Sequence, residues 1–174
     1  MQIQLKKGVE NHVKGTIASQ KYRLIRKDLE LQLFIQSMKS YINDPFFVAG
    51  IMLYEAEGSK GSSNGFSNSD YRVIKVYIKF LIKYLKLNPD KNLTYRLYIH
   101  EIRKDDLQRI LNFWSNKLGV KIDNINVSWK HNIVTKKRIN LNYVGQFEVR
   151  VRKYPNFTGK LLSISDIILT KYQH

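Results

Sequence analysis

The chain has 174 residues, enough for one domain of ordinary size with a small appendage. It carries 30 Lys and Arg against 14 Asp and Glu, a net charge of +16, and 43% of its residues are hydrophobic, so it can bury a core and need not be disordered. It has no cysteine, which excludes disulfides, thiolate metal sites and a cysteine nucleophile.

So large an excess of positive charge bears on partners rather than on fold. Nucleic acid, an anionic membrane and an acidic protein are the usual targets, and nucleic acid is the commonest for a compact chain. The first residues, MQIQLKKGVENHVKG, carry no apolar run behind their charges, so no secretory signal is expected. No apolar stretch of roughly 18 residues occurs, so no transmembrane helix and no membrane partner are expected. The expected location is intracellular: cytoplasm, nucleoid or an organelle matrix.

Residues 1–16 are polar and basic and read as a loose arm. Over 17–42, Leu24, Ile25, Leu29, Leu33 and Met38 recur at helical steps, with Lys21, Arg23, Arg26, Lys27 and Lys39 between them. That is either a solvated basic helix or one that lies on a phosphate backbone. Residues 1–43 are thus read as an arm and helix in front of a domain over 44–174.

Asn43-Asp44-Pro45 starts a second helix, with Asp44 as N-cap and Pro45 in the first helical position. Gly58 is the expected stop. The helix over 45–57 is almost wholly apolar and then ends in Glu55 and Glu57. Carboxylates at a helix C-terminus meet its partial negative charge, so they need a compensating partner, for which a bound cation is one candidate.

Residues 61–69 read as a flexible connection with a short strand near Phe66. A helix follows to about Lys86, its face of Val73, Ile74, Tyr77, Ile78, Leu81, Ile82 and Leu85 set against a basic stripe. Leu93 to His100 alternates as a half-buried strand does. A helix over 104–118, opened by Lys104-Asp105-Asp106 and closed by Gly119, precedes two further alternating strands, near 125–130 and 147–151. The last helix spans about 158–172.

These elements predict an α+β fold: a mixed or antiparallel sheet with helices on its apolar face. The opposite face then carries Arg96, Tyr98, His100, Ser128, Lys130, Arg150 and Arg152. Side chains of that kind suit positioning on phosphates and reading of base edges; a plain solvated face is the alternative. Lys136, Lys137 and Arg138, in the loop between the last two strands, extend the basic set.

The segment Gly50-Ile-Met-Leu-Tyr-Glu-Ala-Glu-Gly58 resembles the motif of LAGLIDADG homing endonucleases, with Glu55-Ala56-Glu57-Gly58 matching its acid-Ala-acid-Gly ending. The Ser-Asn-Ser-Asp passage to Asp70, Phe113-Trp114-Ser115 and Arg150-Val-Arg152 are similar to a LAGLIDADG-like bacterial and archaeal group. The resemblance covers about residues 45–170. It implies that motif helices pair at the centre of a homodimer, with Ala49, Gly50, Leu53 and Ala56 at the interface. It also implies that Glu57 holds Mg²⁺ or Mn²⁺ beside the scissile phosphate of double-stranded DNA. Glu55 points to another side of the helix and would support it, and Lys60 would neutralise developing charge. In metal-assisted phosphodiester hydrolysis the ion takes oxygen ligands, activates water and stabilises the leaving oxygen.

The family pattern is not followed throughout. One motif is present, the first hairpin is compressed into 61–68, and the helix over 104–118 is additional. Three functions therefore stand open. One is a site-specific, metal-dependent DNA endonuclease. The second is a DNA- or RNA-binding regulator or maturase-like protein that does not cleave. The third is a basic structural or assembly protein; the second and third gain if Glu55 and Glu57 are surface acids bonded to nearby lysines. The four histidines, His12, His100, His131 and His174, lack metal-site spacing.

Overall fold

A computed structural model describes residues 2–61, 63–131 and 142–173, with 2–15 described by their backbone alone. The chain divides into two compact units, residues 1–40 and 41–174. The first is built on a single helix, α1 (Gln2–Met38). Residues 2–16, expected as a loose arm, are part of this helix. No proline interrupts them, and Gly8 and Gly15 are the weak helix formers they contain. Arg26 and Glu30 form an i,i+4 ion pair at 3.2 Å on α1.

A 3-10 turn (Lys39–Tyr41) spans the division, and the first helix of the second unit is α2 (Pro45–Glu57). Asp44 caps α2 as expected: its Oδ1 accepts from the N–H of Phe46 at 2.9 Å. Its other oxygen accepts from the Tyr84 hydroxyl at 2.6 Å, which ties the helix start to the end of α3 (Tyr71–Leu85). Gly58 ends α2 for a reason other than the expected one. Its φ of −69° is open to any residue. A Cβ there would fall 2.4 Å from the Tyr54 ring, so it is the close approach that requires glycine.

After Gly58 the chain turns back on itself. The N–H of Ser59 donates to the carbonyl of Gly65 at 2.7 Å, and Gly58 bridges Phe66 at the start of the sheet. Strand β1 (Gly65–Asn68) then leads into α3, which Asp70 caps. A one-turn helix, α4 (Pro89–Asn92), precedes β2 (Leu93–His100). Residues 104–106, expected to open a helix, lie instead in a 3-10 turn (Glu101–Asp106) that runs into α5 (Leu107–Leu118). Strands β3 (Ile125–Lys130) and β4 (Gln146–Val151) and the helix α6 (Phe157–Lys171) complete the unit.

The four strands form one mixed sheet in the order β1-β4-β2-β3. Strand β4 is antiparallel to both β1 and β2, while β2 and β3 run parallel. Parallel neighbours need a long crossover, and α5 lies within it. Helix α5 is therefore part of what makes the sheet mixed.

Alternation along each strand divides the sheet into two faces. Phe66, Tyr95, Leu97, Ile99, Phe147 and Val149 are buried on one. Tyr77 of α3 stacks on Phe66 at 4.2 Å between ring centroids, and Trp114 of α5 stacks on Phe147 at 4.6 Å. Helix α2 packs on α3 through Gly50, where a Cβ would lie 2.2 Å from Phe80. On α6 it packs through Tyr54, whose ring meets Phe157 edge-on.

Candidate functional site

The ladder registers place Arg96, Tyr98, His100, Ser128, Lys130 and Arg150 on the face opposite the buried one. Arg152 follows β4 in the same alternation, just beyond the strand, and is exposed. Arg96, Arg150 and Arg152 line one concavity of about 480 Å³ together with Thr94 and Asn126. His100 has a local role: its Nδ1 accepts from the N–H of Ile102 at 3.3 Å and so caps the following 3-10 turn. Lys136, Lys137 and Arg138 lie outside the described residues.

One residue of this face was missed as a site candidate. Glu148 is buried, at 7% exposure, in the middle of the strand that lies between β1 and β2. Its Oε2 accepts from the Tyr98 hydroxyl at 2.9 Å and lies 2.8 Å from Arg150 Nε. Arg150 Nη2 in turn donates to the Tyr98 oxygen at 3.1 Å, which closes a triangle of three side chains. The bond to Glu148 is the largest influence raising the Arg150 guanidinium above its ordinary range. Gly65, on the neighbouring strand, leaves the room: a Cβ there would fall 2.6 Å from Glu148 Oε1. Alternation alone puts Glu148 on the same face as Arg150. The signal was an acid two residues before a basic residue on one strand.

Glu57 is exposed at the end of α2 and accepts from Asn68 Nδ2 at 2.6 Å. It shares a cleft of about 460 Å³ with Ser67, Asn68, Tyr98, Lys130 and Gln146. The helix end and the polar sheet face thus open on the same space. Glu55 is turned elsewhere and pairs with Lys60 at 3.6 Å. Lys60 also donates to the carbonyls of Tyr54 and Glu55. Its ammonium thus supplies the positive charge that a helix ending in acids requires. The carbonyl of Ser59 is held by the Tyr54 hydroxyl at 2.8 Å, so the turn that carries Lys60 is anchored to the core.

Of the residues expected at a dimer interface, Ala49 and Ala56 are exposed and Leu53 is half-buried. Gly50 is placed otherwise. It is buried against Phe80 of its own chain, where it allows α2 and α3 to approach.

Among the described residues no group of three or more His, Asp, Glu or Cys side chains converges on a point that would hold a metal. Glu57 is thus a single carboxylate at the cleft. Mg²⁺ is often bound by one or two carboxylates, with water and substrate phosphates as the other ligands, and this donor set fits such a mode. No helix of the described residues is long and apolar enough to cross a membrane. Compared with protein-family models, with curated proteins and with solved structures, the chain matches none.

Proposed function

We propose that the protein is a site-specific double-stranded DNA endonuclease of LAGLIDADG type that works as a homodimer. The observation that carries this reading is the shared cleft: Glu57, at the tip of the motif-like helix, opens on the same space as Tyr98 and Lys130 of the sheet face. The polar sheet face contributes Arg96, Lys130, Arg150 and Arg152 toward duplex DNA. Glu57 would hold Mg²⁺ or Mn²⁺, which supplies activation of water and charge stabilisation at the phosphate. Asn68 fixes the direction of the Glu57 carboxylate by its 2.6 Å bond. Ala49, Leu53 and Ala56 present small and apolar side chains for pairing α2 with its copy across a two-fold axis.

A second reading keeps the binding face without cleavage: a DNA-binding regulator or a maturase-like RNA-binding protein. The engagement of Lys60 favours it. That ammonium is bound to two carbonyls and to Glu55, which leaves Glu57 as the one charged group of the three directed at the cleft.

Cleavage of a randomised duplex library with Mg²⁺, recorded beside binding, separates the two. Site-specific cuts that vanish in Glu57→Gln while binding persists support the endonuclease. Binding without cuts in either protein overturns it and leaves the second reading.

A further inference from the structure

We infer that Glu148 is a positioning residue that makes Arg150 a reader of guanine edges rather than a contact to phosphate. This rests on the reading that the polar sheet face meets duplex DNA, and it goes beyond it by naming a base and the residue that selects it.

Arg150 is held on two sides. Its Nε lies 2.8 Å from Glu148 Oε2, and its Nη2 donates to Tyr98 at 3.1 Å. Tyr98 is itself fixed by donating to Glu148 at 2.9 Å. A guanidinium carries five N–H groups in a planar fork. Nη2 makes the guanidinium's one directed hydrogen bond within the triangle, Nε is buried against the Glu148 carboxylate as an ion pair without one, and the outer edge of the fork remains for a ligand. The side chain is 31% exposed and lines the concavity shared with Arg96 and Arg152. Strand β4 lies between β1 and β2, so Arg150 sits within the sheet rather than at its margin.

Charge decides what that edge suits. A phosphate is drawn to Arg chiefly by net charge. Here Glu148 offsets the charge of Arg150 at contact distance, and an approaching phosphate would also meet the carboxylate. A guanine edge is neutral. It offers O6 and N7 as paired acceptors, which a rigid fork meets with two directed hydrogen bonds. Rotational freedom already lost in the free protein need not be lost on binding. Arg96 and Arg152 differ. Among the described residues neither has an ion pair, although Arg96 stands opposite Glu148 in the β2–β4 ladder. They are the side chains of this concavity that carry net charge to phosphates.

The test is selection of preferred duplexes from a randomised library, followed by binding titrations over a range of salt. The proteins are the full-length wild type, Glu148→Gln, Arg150→Lys and Arg152→Gln, each shown to be folded by its thermal melt. The expected result is that Arg150→Lys and Glu148→Gln lose about tenfold or more of the preference for G·C at one position of the site. In Arg150→Lys the slope of log affinity against log salt stays as in wild type. In Glu148→Gln, which frees a charge, it is steeper. Arg152→Gln keeps the preference and loses about one unit of slope. If Arg150→Lys lowers affinity uniformly for all sequences, Arg150 is a phosphate contact and the inference is overturned. An unchanged G·C preference in a folded Glu148→Gln also overturns it. Should Glu148→Gln fail to fold, Arg150→Lys decides the matter alone. A wild type that binds no duplex DNA overturns the proposed function itself, and the inference with it.

Discussion

The side-chain amide of Asn68 donates to the carboxylate of Glu57 at 2.6 Å, and so ties the end of α2 to the end of β1. Because Glu57 is exposed and makes no ion pair among the described residues, its replacement should spare the fold. Glu57→Gln is expected to melt within about 0.5 kcal/mol of wild type, as surface substitutions usually do. Its DNA binding is expected to persist while Mg²⁺-dependent cleavage falls below detection. Asn68→Ala keeps the carboxylate but frees its orientation, and should lower cleavage without abolishing it. Single-turnover cleavage beside a binding titration reads both effects.

Gly50 and Phe80 make a sterically closed contact. Adding a methyl group at Gly50 places it 2.2 Å from two ring carbons of Phe80, and the ring is buried. Either α2 moves away from α3 or the ring leaves its rotamer. Gly50→Ala is expected to destabilise the protein by about 1–3 kcal/mol, in the range of overpacked cores. Denaturant unfolding measures this directly. If Gly50 served only a contact between copies, the monomer would be unaffected.

Tyr54 and Tyr77 stack with 9° between their planes, yet their hydroxyls differ. That of Tyr54 is bonded to Ser59 and Thr158. The Tyr77 hydroxyl is fully buried with no hydrogen-bond partner among the described residues, and burial pushes it well above the usual tyrosine range. An unmatched buried hydroxyl costs about 1–3 kcal/mol. Tyr77→Phe should therefore leave stability unchanged or raise it, whereas Tyr54→Phe should lower it by about 1 kcal/mol. Thermal melts of the two variants should move in opposite directions or differ clearly.

Asp44 links acid sensitivity to α2. The Tyr84 hydroxyl is the largest influence on its carboxyl; burial, the next, opposes it, and the N–H groups of Phe46 and Phe47 and the charge of Lys83 add to Tyr84 to hold the carboxyl below the usual range. A pKa depressed on folding gives stability that is present above the unfolded value, about pH 4, and is lost as pH falls through the folded one. Asp44→Asn preserves an N-cap but removes the titration. Its melting temperature should fall less steeply than that of wild type below about pH 4, and the two should converge in acid.

The sequence by itself determined the local elements. Asp44-Pro45 set the start of α2, alternation set the span of β2, and parity along β2, β3 and β4 put Arg96, Tyr98, Lys130, Arg150 and Glu148 on one face. These follow from helical and strand periods, which are properties of neighbouring residues. The tertiary structure alone decided the rest. The order β1-β4-β2-β3 and its registers brought Tyr98, 50 residues away in the chain, to Glu148 and so fixed Arg150. Helix packing turned Gly50 toward Phe80, and the turn after Gly58 carried Lys60 back to the carbonyls that end α2. Such contacts depend on which strands pair and which helix faces meet. Those choices are made by burial of the whole apolar surface at once, and no short window of sequence contains them.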